Sequence, residues 1–146
     1  MSRLSAPPLI GALLRVPSQA IHRRLIADLN AAGYEDLRLP HIAVLQYPGP
    51  HGCRPSELAE RTGMSKQAMN QLLQSLEELG YLERAADETD GRARIVIFTE
   101  RGHAAWKKMC QILVAIEAEW RATLGEKRFL QLKKLLHEVW VSDLIP

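Results

Sequence analysis

The stretch from Arg54 to Arg84, RPSELAERTGMSKQAMNQLLQSLEELGYLER, constrains the fold of this chain more than any other. Pro55 suits the first turn of a short helix, where its missing N–H costs no hydrogen bond. Gly63 then supplies the positive φ that a chain reversal needs, and Ser65 can cap a second helix through its hydroxyl. Two short helices joined by such a turn have the spacing of a helix-turn-helix.

The second of these helices, predicted over Lys66 to Leu79, separates two kinds of side chain. Its apolar face consists of Met69, Leu72, Leu73, Leu76 and Leu79. Its other face carries one lysine and four amides: Lys66, Gln67, Asn70, Gln71 and Gln74. Acids follow only at the far end, as Glu77 and Glu78. Because Asn and Gln can pair bidentately with adenine and lysine can reach guanine or phosphate, this pattern favours a surface that reads DNA over a merely solvated face.

A β-hairpin is predicted directly after this helix. Tyr81 to Arg84 begins an extended segment, and the β-branched run Arg94 to Thr99 is its partner strand. The polar segment between them, Ala86 to Ala93, has Asp90-Gly91 as its turn and Arg92 near its tip. Such a wing can place an arginine in a minor groove, whereas the alternative is a solvated loop with incidental arginines.

Before the helix-turn-helix, apolar residues at helical spacing predict a first helix that begins after Pro7-Pro8 and runs to about Ala32. Pro17 lies inside this pattern, so the helix is either kinked near Arg15 or made of two pieces. Leu39-Pro40 predicts the start of a short second helix, which turn residues end between Tyr47 and Gly52.

Two helices are predicted after the wing. Thr99 can cap a long helix, Gly125 breaks it, and a final helix leads into the apolar tail Leu144 to Pro146. One small winged domain cannot cover both an apolar first helix and an apolar last helix, so we expect burial against a second copy. The predicted fold is mainly α with a small β wing, with about six helices and a two-stranded hairpin. We expect dimerisation helices over residues 1–38 and 101–146 and a winged helix-turn-helix lobe over 39–100.

Composition limits the classes of function. The chain has 146 residues, enough for one domain that needs no disulfides or metal ions for stability. Its net charge of +2 by itself neither requires nor excludes a nucleic-acid partner. Apolar runs are far shorter than the ~20 residues that cross a bilayer, and Met1 to Val16 lacks the features of a secretory signal, so we expect a cytoplasmic protein without a membrane partner. Cys53 and Cys110 form no CxxC pair, and we expect no metal, disulfide or cofactor, although a redox role for either thiol stays open.

With these elements in place, the sequence resembles the MarR family of bacterial transcription regulators in element order over nearly the whole chain. The most specific part runs from Ser56 to Gly102. The resemblance implies a homodimer with intertwined first and last helices, which binds double-stranded DNA at a pseudo-palindromic operator as a repressor. Many members have Asp-Arg-Arg at the wing tip where this chain has Asp90-Gly91-Arg92, and an arginine common in the second helix is here Gln71. We therefore expect weaker phosphate contact and more reliance on the remaining cations.

By position, the resemblance and the amide-rich face together give the candidate DNA-binding residues. They are Arg54, Ser65, Lys66, Gln67, Asn70, Gln71, Gln74, Arg92 and Arg94.

The family also implies a pocket for a small aromatic or phenolic effector between the dimerisation helices and the DNA-binding lobe. Candidate lining residues are Arg15, His22 and His41, although isolated residues of these types are more often structural. The peroxide-sensing branch of the family has a reactive cysteine in the first helix, and this chain has none before Cys53, so we do not expect thiol sensing of that type.

Two rival functions remain at the level of sequence. A winged helix used only for protein contacts is compatible with the modest net charge. An enzyme is poorly supported, because the chain has no phosphate-binding glycine loop, no HExxH motif and no convincing pair of nucleophile and base.

Overall fold

The computed structural model describes residues 7–46 and 51–145. Within these ranges the chain forms six helices and one antiparallel two-stranded sheet, which confirms the predicted fold class. The elements are α1 (Ile10–Ala31), α2 (Leu39–Leu45), α3 (Pro55–Thr62), α4 (Lys66–Glu78), β1 (Leu82–Ala86), β2 (Arg94–Phe98), α5 (Glu100–Leu124) and α6 (Glu126–Trp140). The turn predicted between the second and third helices lies partly outside the described residues.

Helix α1 continues unbroken through Pro17, so the two-piece alternative is wrong. Proline deprives the helix of one backbone donor, but its fixed φ is compatible with the helical backbone on either side. Leu25 and Leu29, in the second half of α1, are buried in the core. The helix ends before Gly33, whose φ is 100°. Packing of this half therefore outweighs the local cost of the proline.

The chain divides into two compact units, the first ending at Cys110 and the second beginning at Gln111. The core of the first unit collects the apolar faces of its helices and of the sheet. Its fully buried side chains include Leu25, Leu29, Leu37, Ile42, Leu45, Leu58, Met69, Leu73, Leu76, Tyr81, Leu82 and Val96. The apolar face predicted for α4 thus forms one core with buried side chains of α1, α2, α3 and the sheet.

The sheet pairs Leu82 with Phe98 at one end and Ala86 with Arg94 at the other. Cys53 adds a single bridge to Val96 through two backbone hydrogen bonds, which ties the chain before α3 to the wing. Sequence reasoning missed this bridge. Gly52 permits it, because its φ is 81° and a Cβ at this position would lie 2.8 Å from the Val96 carbonyl oxygen.

Buried Tyr81 joins three segments of the first unit at the start of the sheet. Its hydroxyl donates to Asp36 Oδ1 at 2.5 Å, and Arg101 Nη2 donates to Asp36 Oδ2 at 2.9 Å. Burial acts to raise the pKa of Asp36, but the hydrogen bonds from Tyr81 and Arg101 outweigh it and hold that pKa below its usual value. Gly102 allows the start of α5 to lie against the backbone of Tyr81, since a Cβ there would lie 1.9 Å from the Tyr81 carbonyl oxygen.

The second unit contains the end of α5 and all of α6. Ile112, Ile116 and Phe129 are buried, and the guanidinium of Arg121 lies 5.1 Å from the centre of the Phe129 ring. The predicted break between the helices is confirmed at Gly125, whose φ is 86°. In the described residues, no helix is both long enough and apolar enough to cross a membrane.

Candidate nucleic-acid interface

The helix-turn-helix has the local geometry that the sequence predicts. Gly63 adopts the left-handed conformation with φ of 70°, and the Met64 N–H donates to the Ala59 carbonyl at 3.0 Å, which closes the turn. Ser65 caps α4, because its hydroxyl accepts a hydrogen bond from the Ala68 N–H at 3.1 Å. The first turn of α4 is therefore fixed, with its remaining free N–H groups directed out of the helix start.

The polar face of α4 is exposed, and its side chains have almost no partners among the described residues. Met69, Leu73 and Leu76 are buried on the opposite side. The exposed set is Lys66, Gln67, Asn70, Gln71 and Gln74. Only Gln74 of this set has a side-chain partner among the described residues, since its amide donates to Glu78 Oε1 at 3.2 Å. The other four side chains are free to bind a ligand.

The acidic end of α4 is partly neutralised from the sheet. Arg84 on β1 donates from Nε to Glu77 Oε1 at 2.6 Å, and both side chains are about one-third exposed. A cation therefore offsets one of the two acids on this helix. Sequence reasoning missed this pair, although Glu77 and Arg84 are only seven residues apart.

The wing ends in a tight turn that presents Arg92. The Ala93 N–H donates to the Asp90 carbonyl at 3.0 Å, which leaves Gly91 and Arg92 at the two central positions. The Asp90 carboxylate accepts from the Arg92 N–H at 3.2 Å and fixes the same turn. The side chains of Arg92 and Arg94 are exposed and have no hydrogen-bond or ion-pair partner in the part of the chain that the structure describes.

Arg54 differs from the other candidate residues because its guanidinium is already engaged. Its Nη2 and Nε donate to Asp87 Oδ2 at 2.8 and 3.1 Å. The hydrogen bond from Arg54, with two further bonds from Thr89, lowers the pKa of Asp87 to about 2. The ion pair joins the start of α3 to the base of the wing, which no pattern in the sequence indicated.

The three candidate effector residues have different surroundings. Arg15 is exposed on α1 and contacts Gln19 at 3.5 Å. His41 is buried, where its Nδ1 accepts from the Arg38 N–H at 2.9 Å and its Nε2 lies 3.2 Å from Ser75 Oγ. Burial lowers the pKa of His41, which acts as a structural link between α2 and α4.

His22 lines a groove of about 590 Å³ beside α1. The other lining residues are Gln19, Arg23, Ile26, Ala27, Asn30 and Leu39. The side-chain oxygen of Asn30 is buried and has no hydrogen-bond partner among the described residues. The groove thus combines an apolar wall with one imidazole and one guanidinium group.

The two cysteines are free thiols. Cys53 is buried and lies 3.2 Å from Glu57 Oε2, and burial together with this carboxylate raises the pKa of its thiol to about 11. A thiol with a raised pKa is a poor nucleophile at neutral pH. Within the described ranges, no group of three or more His, Cys, Asp or Glu residues is placed to hold a metal ion.

Comparison with known proteins agrees with this geometry. A family model described as MarR family matches residues 35–93, which include the helix-turn-helix and the wing tip. The HTH-type transcriptional repressor Rv2887 of Mycobacterium tuberculosis is 28% identical over 131 residues, which cover 89% of this chain and 92% of the repressor. The winged helix-turn-helix of this chain is of the MarR type. This match confirms the sequence-based recognition, and the chain is a DNA-binding transcriptional regulator.

Solved structures of MarR-family proteins share the fold of this chain. Rv2887 in complex with salicylic acid superimposes with a TM-score of 0.66 at 28% identity, covering 93% of this chain and 99% of that one. The reduced form of MarR from E. coli has a TM-score of 0.76 at 23% identity over 92% of this chain and 98% of its own, a likeness of fold.

Proposed function

We propose that this protein acts in the cytoplasm as a homodimeric repressor that binds a pseudo-palindromic operator. Each protomer inserts the N-terminal half of α4 into the major groove and the wing into the adjacent minor groove. Two such helices one turn apart, ~34–36 Å, match the spacing of half-sites on one side of a duplex.

The observation that carries this proposal is the polar face of α4. Lys66, Gln67, Asn70 and Gln71 are exposed next to the capped start of the helix, and none has a side-chain partner among the described residues. Amides that make no internal hydrogen bonds retain their full capacity to pair with base edges. Lys66 supplies a cation where phosphate or guanine would approach the positive end of the helix.

The wing supplies the second part of the interface. Arg92 occupies a central position of the tip turn, and Arg94 begins β2 on the same ribbon. Both guanidinium groups are free to enter a minor groove or to bind phosphate. Because the tip has one arginine, each wing has a limited capacity to neutralise the DNA backbone, and base reading by α4 carries more of the binding specificity.

Homodimerisation is supported by apolar side chains that each unit leaves exposed. On α6 and the tail, Trp140 is 73% exposed and Leu144 is 79% exposed. At the start of α1, Leu9 is 83% exposed and Ile10 is 69% exposed. Exposed apolar surface of this extent at both ends of a chain marks an interaction surface, and a second copy is the partner that places two α4 helices on one operator.

The groove beside α1 is the proposed effector site, and a small aromatic acid is the proposed effector. Ile26 and Leu39 can contact an aromatic ring, while His22 and Arg23 can bind a carboxylate. Binding would favour a conformation whose two α4 helices no longer fit the operator spacing.

Titration of DNA binding against salt tests the assignment of the wing. On an operator selected from genomic DNA, we expect Arg92→Ala to lower the affinity for all sequences and to reduce the salt slope by roughly one for each phosphate that the arginine neutralises. Arg128→Ala, at an exposed position on α6, makes the same change in net charge and is the matched control. Equal effects of the two substitutions would remove the wing from the interface.

The rival function, a winged helix used only for protein contacts, gives a different result in the same experiment. It predicts that the purified wild-type protein shows no salt-dependent binding to any selected fragment.

A further inference from the structure

The ion pair between Arg54 and Asp87 links the two parts of the DNA-binding surface. Arg54 is the residue that precedes α3, the first helix of the helix-turn-helix, and Asp87 follows β1 at the base of the wing tip. Both hydrogen bonds of the guanidinium end on one oxygen of Asp87. The Asp87 side chain is only 14% exposed, so solvent screens this pair less than an ordinary surface pair.

The second oxygen of Asp87 organises the wing tip itself. Oδ1 accepts from the Thr89 N–H at 3.0 Å and from the Thr89 hydroxyl at 2.8 Å. The Asp87 N–H donates to the Ala93 carbonyl at 2.9 Å, across the neck of the turn that presents Arg92. One carboxylate is therefore bound both to the helix-turn-helix and to the loop that holds the wing arginine.

We propose that Arg54 is a positioning residue that acts on DNA through Asp87: the pair fixes the Arg92-bearing wing tip relative to α4. The inference rests on the proposed function and deepens it by replacing a direct contact of Arg54 with an indirect one. A guanidinium that already makes two hydrogen bonds to a carboxylate would have to give them up to bind a phosphate. Fixing the wing before DNA arrives reduces the conformational entropy that binding must remove.

The direction in which one substitution changes the DNA affinity distinguishes positioning from simple electrostatics. Asp87→Asn removes a negative charge close to the wing and leaves Arg54 unpaired, so a direct-contact role for Arg54 predicts tighter DNA binding. Positioning predicts the opposite. The asparagine keeps an oxygen for Thr89 but loses the ion pair, and we expect the affinity to fall on the order of three- to tenfold, in the lower part of the range for coupled neighbouring residues.

Two further variants serve as controls for Asp87→Asn. Glu88→Gln removes the same charge at the next residue, an exposed acid without a side-chain partner in the described ranges, and we expect unchanged or slightly tighter binding. The exchange of charges in Arg54→Asp with Asp87→Arg should recover part of the affinity that Asp87→Asn removes. Thermal unfolding of each variant at fixed protein concentration confirms that the variants are folded.

A double-mutant cycle with Arg92→Ala locates the effect. If the pair acts by placing Arg92, then Asp87→Asn changes little once Arg92 is absent, and the two substitutions are non-additive. Hydrogen exchange of the wing amides should also be faster in Asp87→Asn.

The inference is overturned if Asp87→Asn binds operator as tightly as wild type or more tightly, or if its effect adds fully to that of Arg92→Ala. Failure of the proposed function looks different, because wild-type protein would then bind no DNA or Arg92→Ala would have no effect.

Discussion

Replacement of Ser65 separates the stability of α4 from its contact with DNA. The Ser65 hydroxyl accepts the Ala68 N–H at 3.1 Å, and the side chain is exposed at the start of the helix. Serine and aspartate are about equally good at this capping position, whereas alanine costs about 1 kcal/mol. Ser65→Asp therefore keeps the cap while placing a negative charge where the proposed complex has DNA phosphates.

The magnitude follows from Coulomb's law. A unit charge about 6 Å from a phosphate costs roughly 0.7 kcal/mol in water and roughly 2.8 kcal/mol at the effective dielectric constant near a protein surface. Two protomers on one operator double this cost to about 1.4–5.5 kcal/mol, or roughly 10- to 10⁴-fold in affinity. Screening at physiological salt favours the lower part of this range.

The assay is a fluorescence-anisotropy titration of labelled operator, combined with chemical unfolding at fixed protein concentration because the dimer couples stability to concentration. We expect Ser65→Asp to unfold within about 0.5 kcal/mol of wild type and to bind at least tenfold more weakly. Ser65→Ala should lose about 1 kcal/mol of stability, and its loss of DNA affinity should be much smaller than that of Ser65→Asp. Ser18→Asp, an exposed position in α1, controls for net charge. If Ser65→Asp binds operator like this control, the start of α4 does not face DNA.

Two other predictions concern stability. Tyr81→Phe deletes the hydroxyl that donates to Asp36, and we expect the free energy of unfolding in urea to fall by about 1.5–3 kcal/mol. Tyr34→Phe removes a hydroxyl with no hydrogen-bond partner among the described residues and should lose less than about 0.5 kcal/mol. Equal losses would show that the hydrogen bond from Tyr81 to Asp36 does not stabilise the fold. Burial lowers the pKa of His41, so the unfolded chain takes up a proton more readily than the folded one, and stability that is complete above about pH 6.5 should fall as the pH drops below that value. His41→Gln, whose amide oxygen can still accept the backbone N–H, should flatten this fall, and a profile parallel to wild type would exclude His41 as its cause.

Local patterns in the sequence predicted the helix-turn-helix well because its signals lie within a few residues of each other. The left-handed Gly63, the cap at Ser65 and the apolar stripe of α4 each depend on near neighbours, and all three are present in the structure. The positions of the two strands followed from β-branched residues and turn chemistry in the same way.

Contacts between distant segments could not be predicted from the sequence. Arg54 and Asp87 are 33 residues apart, and nothing in either local sequence identifies the other as its partner. The bridge from Cys53 to Val96 involves a single residue pair, too short for a strand pattern. For the same reason His41, predicted as an effector residue, has side-chain contacts in the structure that only the packing of α2 on α4 reveals.

Base reading by the exposed amides of α4 can be measured through the binding-site profile of Asn70→Ala. Wild-type protein and variant are each allowed to select fragments from a random DNA pool, and the two sets of bound sequences are compared position by position. We expect two half-sites about 10 base pairs apart in the wild-type profile. In the variant, one symmetric pair of positions should lose about 1–3 kcal/mol of discrimination while the others keep theirs. An equal loss of affinity for all sequences, with an unchanged profile, would contradict base reading by this helix.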